Sequence, residues 1–141
     1  MAKHDEKIDL LKSMWLFSAC NRKELALIER ACDEVSVSAG TVLTEEGKMG
    51  REFFLIGSGT AIVTIAGHEV AKLGPGSNFG ELSLLDHQPR TATVTAVTDM
   101  DLVVLAAREF TSILEEVPTM AIRLLEATAT KLREADQRAY A

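Results

Sequence analysis

Two oppositely charged side chains, Glu81 and Arg90, lie nine positions apart in the stretch FGELSLLDHQPRTATV, which runs from Phe79 to Val94. Most of this stretch is apolar, and ionised side chains are costly to bury unless each meets a partner or a ligand. Two interpretations follow from this pattern. Either the two charges neutralise each other or reach solvent at a turn, or they bind a ligand that carries hydroxyl groups and a negative charge.

The residues beside these charges favour a ligand. Gly80 permits close backbone approach, and the sequence LSLL that follows Glu81 could form one helical turn whose N–H groups point at an anion. Pro89 fixes the chain before Arg90, whose planar guanidinium can hold the same anion. Glu81 would then accept hydrogen bonds from a sugar hydroxyl. The stretch therefore predicts a pocket for one phosphate and one ribose, lined by apolar walls.

Short strands joined by tight turns surround this stretch and must position it. From about Val35 to Ala107 the sequence alternates apolar and polar residues, with turn sequences at Gly57-Ser58-Gly59 and at Gly74-Pro75-Gly76. The spacing suits a small antiparallel barrel or sandwich closed upon itself. Together with the helical patterns on either side, it predicts a mainly β fold with flanking helices.

The flanking helices are predicted over about residues 5–34 and 108–140. Asn21 and Glu24 have the spacing of an N-cap residue and its partner at the third helical position, which begins a second N-terminal helix. Pro118 divides the C-terminal part into two helices. One stripe in the last helix recurs at heptad spacing: Ala121, Leu125, Thr128, Leu132 and Ala135. This stripe fits packing against the barrel at least as well as a coiled coil.

Length and charge limit the functional class. The chain of 141 residues is long enough for one domain with a core, so residues 1–141 are predicted to form a single domain. The net charge of -6 offers no overall attraction to nucleic acid, which we do not expect as a partner. No segment is apolar for long enough to cross a bilayer, and the start MAKHDEKIDL is too charged for a secretory signal. We expect a cytoplasmic location and no membrane partner.

The remaining reactive residue types give no pattern of a catalytic or metal site. His4, His68 and His87 do not cluster with cysteines or carboxylates at ligand spacing, so no metal site is predicted. Cys20 and Cys32 are predicted to be small core residues without a disulfide. No Ser, Cys or Lys carries a recognisable nucleophile motif, so an enzyme is not predicted and no cofactor is expected.

The stretch Phe79 to Val94 resembles the phosphate-binding cassette of the cyclic nucleotide-binding domain family, which includes the catabolite activator protein and the regulatory subunits of protein kinase A. The family cassette runs F-G-E-[LI]-[AS]-L, a short gap, then P-R-[STA]-A-T-V, and every motif position is present. About ten positions are fixed within sixteen residues, which makes the motif specific. LFSACNRKEL, AGTVLTEEG and FFLIGSGTAIV also resemble their family counterparts. The resemblance implies an eight-stranded jelly-roll barrel, or double-stranded β-helix, with N-terminal helices and two C-terminal helices.

The resemblance also implies a role for each cassette residue. Arg90 is expected to bind the exocyclic phosphate oxygens and Glu81 the ribose 2'-hydroxyl. For Ser83, capping of the short helical turn and direct contact with the ligand stay equally open. Backbone N–H groups of the cassette are expected to complete the phosphate site, and the Thr91 hydroxyl is expected to contact the phosphate or the base. The expected ligand-binding set is Phe79, Gly80, Glu81, Leu82, Ser83, Pro89, Arg90, Thr91 and Ala92.

In the family the last helix folds over the base as a lid and often builds a dimer. At the positions that present hydroxyls to adenine in the catabolite activator protein, this chain has Ala135 and Asp136. Asp136 is expected either to be solvated or to accept hydrogen bonds from a purine edge. Thr91 and Asp136 fit cyclic GMP binders superficially, whereas the compact cassette is common in bacterial cyclic AMP binders. Cyclic AMP is the favoured ligand, with cyclic GMP as the alternative.

The predicted function is that of a stand-alone sensor without catalysis. Binding of a cyclic purine mononucleotide is expected to move the C-terminal helices, whose changed surface is recognised by an effector protein or by a second copy of the chain. Two alternatives stay open. The chain is a fragment of a larger cyclic nucleotide-regulated protein, such as a transcription regulator, channel or enzyme, or it is a degenerate barrel that serves as a protein-interaction scaffold.

Overall fold

A computed structural model describes residues 4–140 of the chain, and the side chain of Tyr140 is outside that description. The described residues divide into two compact units. One is the strand unit, Cys32–Phe110, and the other is the helical unit, made of residues 4–31 and 111–140. The prediction of a single domain over residues 1–141 stays a prediction.

The strand unit contains two four-stranded antiparallel sheets. Their orders are β1-β8-β3-β6 and β2-β7-β4-β5. The strands are β1 (Asp33–Val37), β2 (Val42–Thr44), β3 (Glu52–Ser58), β4 (Ala61–Ile65), β5 (His68–Leu73), β6 (Asn78–Phe79), β7 (Thr93–Ala96) and β8 (Met100–Ala106). Except for the hairpin of β4 and β5, neighbours in each sheet are not consecutive in sequence, so the chain passes back and forth between the sheets as in a jelly roll.

Apolar side chains from both sheets share one core. The core cluster takes members from β3 and β8 of the first sheet and from β4 and β7 of the second: Phe54, Ile56, Ala61, Val94, Ala96, Met100, Leu102 and Val104. Within each strand these residues are separated by two or four positions, which places them on one face because strand side chains alternate. Val63 and Phe79 pack against this cluster.

The predicted fold class is confirmed: the chain is mainly β, with eight strands in residues 4–140 and helices at both ends. The eight strands form two sheets rather than one fully closed barrel, and this double-sheet arrangement is the usual form of a jelly roll. Strand β1 begins at Asp33, earlier than the predicted start at Val35. Asp33 and Glu34 are exposed, yet their backbones pair with Val104 and Val103 of β8, which extends the strand without an apolar signal in the sequence.

Two helices precede the strands, α1 (His4–Ser13) and α2 (Arg22–Ala31), with a 3-10 turn at Trp15–Phe17 between them. The predicted capping arrangement is present at the start of α2. The Glu24 N–H donates to Oδ1 of Asn21 at 2.9 Å, and the Asn21 N–H donates to Oε1 of Glu24 at 2.8 Å. Such reciprocal bonds satisfy two N–H groups that the helix cannot pair internally. Cys20 and Cys32 are not joined in a disulfide.

The C-terminal helices are α3 (Ala107–Glu116) and α4 (Thr119–Tyr140), separated at Pro118 as predicted. The buried side of α4 carries Met120, Leu124 and Ala127, spaced by four and three residues. The stripe predicted from heptad spacing lies on another side, and its Leu125 and Leu132 are 67% and 62% exposed. The stripe is therefore not the buried side of α4, and its packing in a coiled coil stays a prediction.

Within the helical unit, two cationic side chains of α4 lie near groups of the N-terminal segment. Arg123 Nε lies 3.6 Å from the buried Oε1 of Glu24, and Lys131 Nζ lies 5.8 Å from the centre of the Trp15 ring. Both distances are within the range for attraction between a cation and a carboxylate or an aromatic face. No helix among the described residues is long and apolar enough to cross a membrane.

Candidate functional site

The predicted cassette forms one side of a cavity of about 250 Å³ in the strand unit. All nine predicted ligand-binding residues line it: Phe79, Gly80, Glu81, Leu82, Ser83, Pro89, Arg90, Thr91 and Ala92. The motif therefore assembles into one concave site, as expected for a small-molecule pocket.

The remaining lining residues come from other parts of the chain, from the gap inside the cassette motif or, for Val94, from its last position. They are Thr44, Val63, Asp86, Gln88 and Val94. The cavity has a polar end, where Arg90 and Ser83 lie, and apolar walls that include Val63 and Val94. Sequence analysis did not identify Thr44 or Val63, because each is an ordinary strand residue and only the order of the sheets brings β2 and β4 beside β7.

The first half of the cassette turns sharply and forms a short helix. Gly80 has φ 82°, a left-handed conformation that glycine adopts without steric cost, and a 3-10 helix follows at Glu81–Leu84. The Ser83 N–H donates to the Gly80 carbonyl at 3.1 Å. The helical turn predicted at this place is therefore present, and the Ser83 N–H is already used within it.

Hydrogen bonds from β2 and the segment after it hold the backbone of the second half of the cassette in place. The Arg90 N–H donates to the Lys48 carbonyl at 2.7 Å, and the Gly47 N–H donates to the Arg90 carbonyl at 2.8 Å. The Thr44 hydroxyl donates to the Ala92 carbonyl at 3.2 Å. These bonds fix the chain on both sides of Arg90, so the direction in which its side chain leaves the backbone is set by the fold.

The guanidinium of Arg90 is oriented by two hydrogen bonds. Nη1 donates to the Ser83 hydroxyl and Nη2 donates to the Glu52 carbonyl, each at 2.8 Å. Both acceptors are neutral, so these bonds orient the guanidinium without neutralising its charge. Two of its five N–H groups are used in this way, and the others can be offered to an anion. Ser83 thus has a role that the sequence did not predict: its hydroxyl accepts a bond from Arg90.

Aromatic rings support the same guanidinium. Its carbon Cζ lies 6.0 Å from the centre of the Phe54 ring, and the Phe54 and Phe79 rings stack with their centres 4.8 Å apart. Partial burial lowers the pKa of the Arg90 guanidinium, and the nearby carboxylate of Glu52 acts in the opposite direction. An arginine remains protonated at neutral pH despite such a change. The site therefore holds a permanent positive charge that is partly removed from water.

The other predicted site residues lie in helix α4. Ala135 and Asp136 are both exposed and belong to the helical unit. Their expected contacts with a base stay a prediction. Among residues 4–140, no group of three or more His, Cys, Asp or Glu side chains is arranged to hold a metal ion.

Known proteins resemble this chain in sequence. A family model described as the cyclic nucleotide-binding domain matches residues 34–117. The cyclic AMP receptor protein of Thermus thermophilus is 35% identical over 102 residues, which make up 69% of this chain and 47% of that protein. The chain thus spans about half the length of this relative.

Solved structures agree with the sequence comparison. The N-terminal domain of a transcriptional regulator from Streptomyces coelicolor has a TM-score of 0.82 at 32% identity, over 92% of this chain and 94% of that one. The regulatory domain of Toxoplasma gondii PKA, crystallised with cAMP, has a TM-score of 0.71 at 34% identity, over 82% of this chain and 46% of that one. With the cassette, the double-sheet fold and the family match in agreement, this chain belongs to the cyclic nucleotide-binding domain family.

Proposed function

We propose that the protein binds a cyclic purine mononucleotide through the cassette Phe79–Val94 and acts as a sensor without catalysis. The observation that carries this proposal is the Arg90 guanidinium, which lies at the polar end of the cavity and keeps N–H groups for an anion. A cyclic phosphate is a single negative charge with two free oxygens, and a planar guanidinium matches two oxygens well. The relatives that bind cyclic nucleotides support the same ligand class.

Each part of the ligand has a proposed partner. Arg90 binds the phosphate, and Glu81 accepts a hydrogen bond from the ribose 2'-hydroxyl. The backbone N–H groups of Thr91 and Ala92 complete the phosphate site, since both residues precede β7 and lie outside its ladder. The purine lies against the apolar walls. The cavity of about 250 Å³ is slightly smaller than the roughly 300–1,000 Å³ of typical ligand sites, so part of the ligand would project beyond it.

Contacts to the projecting base are assigned to helix α4, at Ala135 and Asp136. Cyclic AMP is favoured over cyclic GMP. Support comes from the compact cassette and from two similar proteins, one named as a cyclic AMP receptor and the other crystallised with cAMP. Thr91, which lines the cavity, and Asp136 are the residues whose chemistry would also suit cyclic GMP.

We further propose that binding changes the arrangement of α3 and α4. Two consecutive carbonyls connect the site to the start of α3: the Glu52 carbonyl accepts from Arg90 at 2.8 Å, and the Arg51 carbonyl accepts from the Ala107 N–H at 2.8 Å. If a phosphate bound to the guanidinium changes the strength of its hydrogen bond to the Glu52 carbonyl, the adjacent peptide can transmit the change to the first turn of α3. A ligand shifts such an equilibrium by the difference in its affinity for the two arrangements.

The changed surface of α4 would be recognised by an effector protein or by a second copy of the chain. Exposed apolar side chains on α4, Ile122, Leu125 and Leu132, provide area for either partner. The same function fits a stand-alone sensor and a part of a longer regulatory protein, such as the relatives of greater length. The predicted cytoplasmic location is retained as part of this proposal.

Isothermal titration of the purified chain with cyclic AMP and cyclic GMP tests the proposal, with AMP as the control that lacks the cyclic phosphate. We expect saturable heat with cyclic AMP, weaker binding of cyclic GMP and no measurable binding of AMP. Because the cyclic phosphate carries one charge and AMP about two, a purely electrostatic interaction would favour AMP instead. No binding of either cyclic nucleotide by a folded chain would contradict the proposal and favour a protein-interaction scaffold.

A further inference from the structure

The guanidinium of Arg90 lies in a narrow slot beside Gly50, a residue outside the cassette. A side-chain Cβ at position 50 would lie 2.4 Å from Nε and 2.6 Å from Cζ of Arg90, and 2.4 Å from the Ser83 hydroxyl oxygen. Carbon atoms in folded proteins do not approach other heavy atoms this closely. The space that a side chain would take at position 50 is therefore filled by the two groups that form the polar end of the cavity.

Gly80 borders the same guanidinium. A Cβ at that position would lie 2.6 Å from Nη1 of Arg90 and 2.8 Å from the Glu52 carbonyl oxygen. Gly80 also has φ 82°, so a substitution there would strain the backbone as well as fill the slot. The two effects could not be separated by mutation of Gly80.

Gly50 allows a cleaner test, because its φ lies outside the left-handed region and its backbone suits other residues. The three atoms nearest to its missing side chain all belong to the ends of the Arg90 and Ser83 side chains. Gly59 provides the contrast: its φ is 90° and its nearest neighbours include backbone atoms of Asp99 and Met100. A substitution at Gly59 would disturb the fold, whereas one at Gly50 would displace the guanidinium and its partner hydroxyl.

We propose that Gly50 is a positioning residue of the nucleotide site. It lacks a side chain, and this leaves the Arg90 guanidinium in the orientation that Ser83 and the Glu52 carbonyl fix before any ligand arrives. Gly50 does not line the cavity, so its effect on the ligand passes through Arg90. A side chain oriented in advance loses less freedom on binding, which raises affinity. The inference rests on the proposed function for its ligand, but the slot itself can be tested without one.

The test compares Gly50→Val with Gly74→Val in uniformly ¹⁵N-labelled protein. Gly74 is the matched control, because its φ is also outside the left-handed region and nothing lies within 4 Å of its missing side chain. The Arg90 Nε–H resonance is assigned by its absence in Arg90→Ala. In the ligand-free state we expect Gly50→Val to shift or broaden this resonance and Gly74→Val to leave it in place. For cyclic AMP we expect Gly50→Val to raise Kd by about tenfold or more, since hydrogen bonds to a charged group are misaligned.

A double-mutant cycle covers the case in which Gly50→Val affects folding. If the valine acts through the guanidinium, it should lower Tm in the parent and lower it much less in the Arg90→Ala background, where the guanidinium is absent and the Ser83 hydroxyl, no longer held by it, can rotate away from position 50. Equal losses in both backgrounds, or an Nε–H resonance unchanged by Gly50→Val, would overturn the proposal. A shifted resonance with an unchanged Kd in a parent that binds cyclic AMP would also overturn it. A parent that binds no cyclic nucleotide would overturn the proposed function, and the resonance and the Tm cycle would still decide whether Gly50 positions Arg90.

Discussion

Arg90 and the second half of helix α4 differ in how firmly the fold holds them. The Arg90 backbone is clamped by Gly47 and Lys48, and its guanidinium is fixed by two hydrogen bonds. By contrast, every side chain from Thr128 to Ala139 is exposed. The expected ligand contacts are divided between these regions. The difference indicates that the proposed anion end of the site is organised by folding alone, whereas the part of α4 proposed to contact the base is not held by burial.

The composition of α4 explains how its second half is helical without burial. The sequence TKLREADQRA, Thr130 to Ala139, is rich in alanine and in long straight side chains, which have high helix propensity. Propensity alone supports a helix of this length only marginally in water. Stability of this segment is therefore expected to depend on the first half of α4, which is anchored by Met120, Leu124 and Ala127.

The largest expected effect comes from removal of the fixed charge. Arg90→Ala should weaken cyclic AMP binding by roughly 100-fold or more, because the phosphate loses its charged, hydrogen-bonded partner. The fold should persist, since the guanidinium's two hydrogen bonds go to neutral groups that water can satisfy. Isothermal titration measures the affinity, and thermal unfolding measures the stability.

Arg30→Ala is the control for this prediction. Arg30 lies in α2, is exposed, and its loss changes the net charge by the same amount. We expect its affinity for cyclic AMP to match that of the parent. Equal binding by Arg90→Ala and the parent would show that the cassette has been assigned wrongly, and an equal loss in both variants would indicate a general effect of charge.

Two adjacent leucines allow the buried and exposed sides of α4 to be compared directly. Leu124 is 4% exposed and Leu125 is 67% exposed. Leu124→Ala should lower the free energy of unfolding by about 2–3 kcal/mol, because it leaves a cavity in the anchored half. Leu125→Ala should change it by about 0.5 kcal/mol or less. Chemical denaturation of both variants at low protein concentration measures the difference.

The same pair tests self-association. If a second copy of the chain covers the exposed side of α4, the parent gains stability at protein concentrations at which it dimerises. Leu125→Ala should lack part of this gain, so its free energy of unfolding should fall below that of the parent as the protein concentration rises. If Leu124→Ala and Leu125→Ala lowered the free energy of unfolding by the same amount at every protein concentration, the exposure of Leu125 in the monomer would be contradicted. Sedimentation of the parent over the same concentrations provides the oligomeric state directly.

These leucines also show where sequence reasoning succeeds and where it does not. The cassette, the capping pair Asn21 and Glu24, and the break at Pro118 are local patterns, and the structure contains each of them. The heptad stripe through Leu125 lies one residue out of phase with the side that α4 buries, because leucines at 124 and 125 fit either phase equally well. Local patterns determine that a helix forms, but not which side it buries.

The slot around Arg90 was not predictable for a different reason. Gly50 and Glu52 are separated from Arg90 by about forty residues, and no local sequence pattern around them predicts a contact with the cassette. They meet Arg90 because the segment before β3 runs beside the segment before β7, through the pairing of Met49 with Pro89. In addition, Glu52 contributes a backbone carbonyl, which any residue type could supply. Sequence analysis therefore identified the charged group but not what holds it.

The smallest expected effect, and the most direct comparison of the two halves of α4, is in amide hydrogen exchange. Without ligand, amides of residues 128–139 should exchange at least about tenfold faster than those of residues 120–127, because local opening of the exposed half costs little free energy. Saturating cyclic AMP should slow exchange in residues 128–139 if Ala135 and Asp136 contact the base. Residues 120–127, already anchored, should change less. Mass spectrometry of peptides from the two halves measures both effects in one sample.

Two causes of slower exchange must be separated, since a second copy of the chain could protect the same segment. Protection by nucleotide should not depend on protein concentration once the site is saturated, whereas protection by self-association should grow with protein concentration even without nucleotide. AMP, which lacks the cyclic phosphate, should give no protection. If cyclic AMP binds through Arg90 and leaves residues 128–139 as exchangeable as before, the ligand is held by the preorganised cassette alone. Movement of α4 would then have no part in the response, and the effector would have to recognise the strand unit.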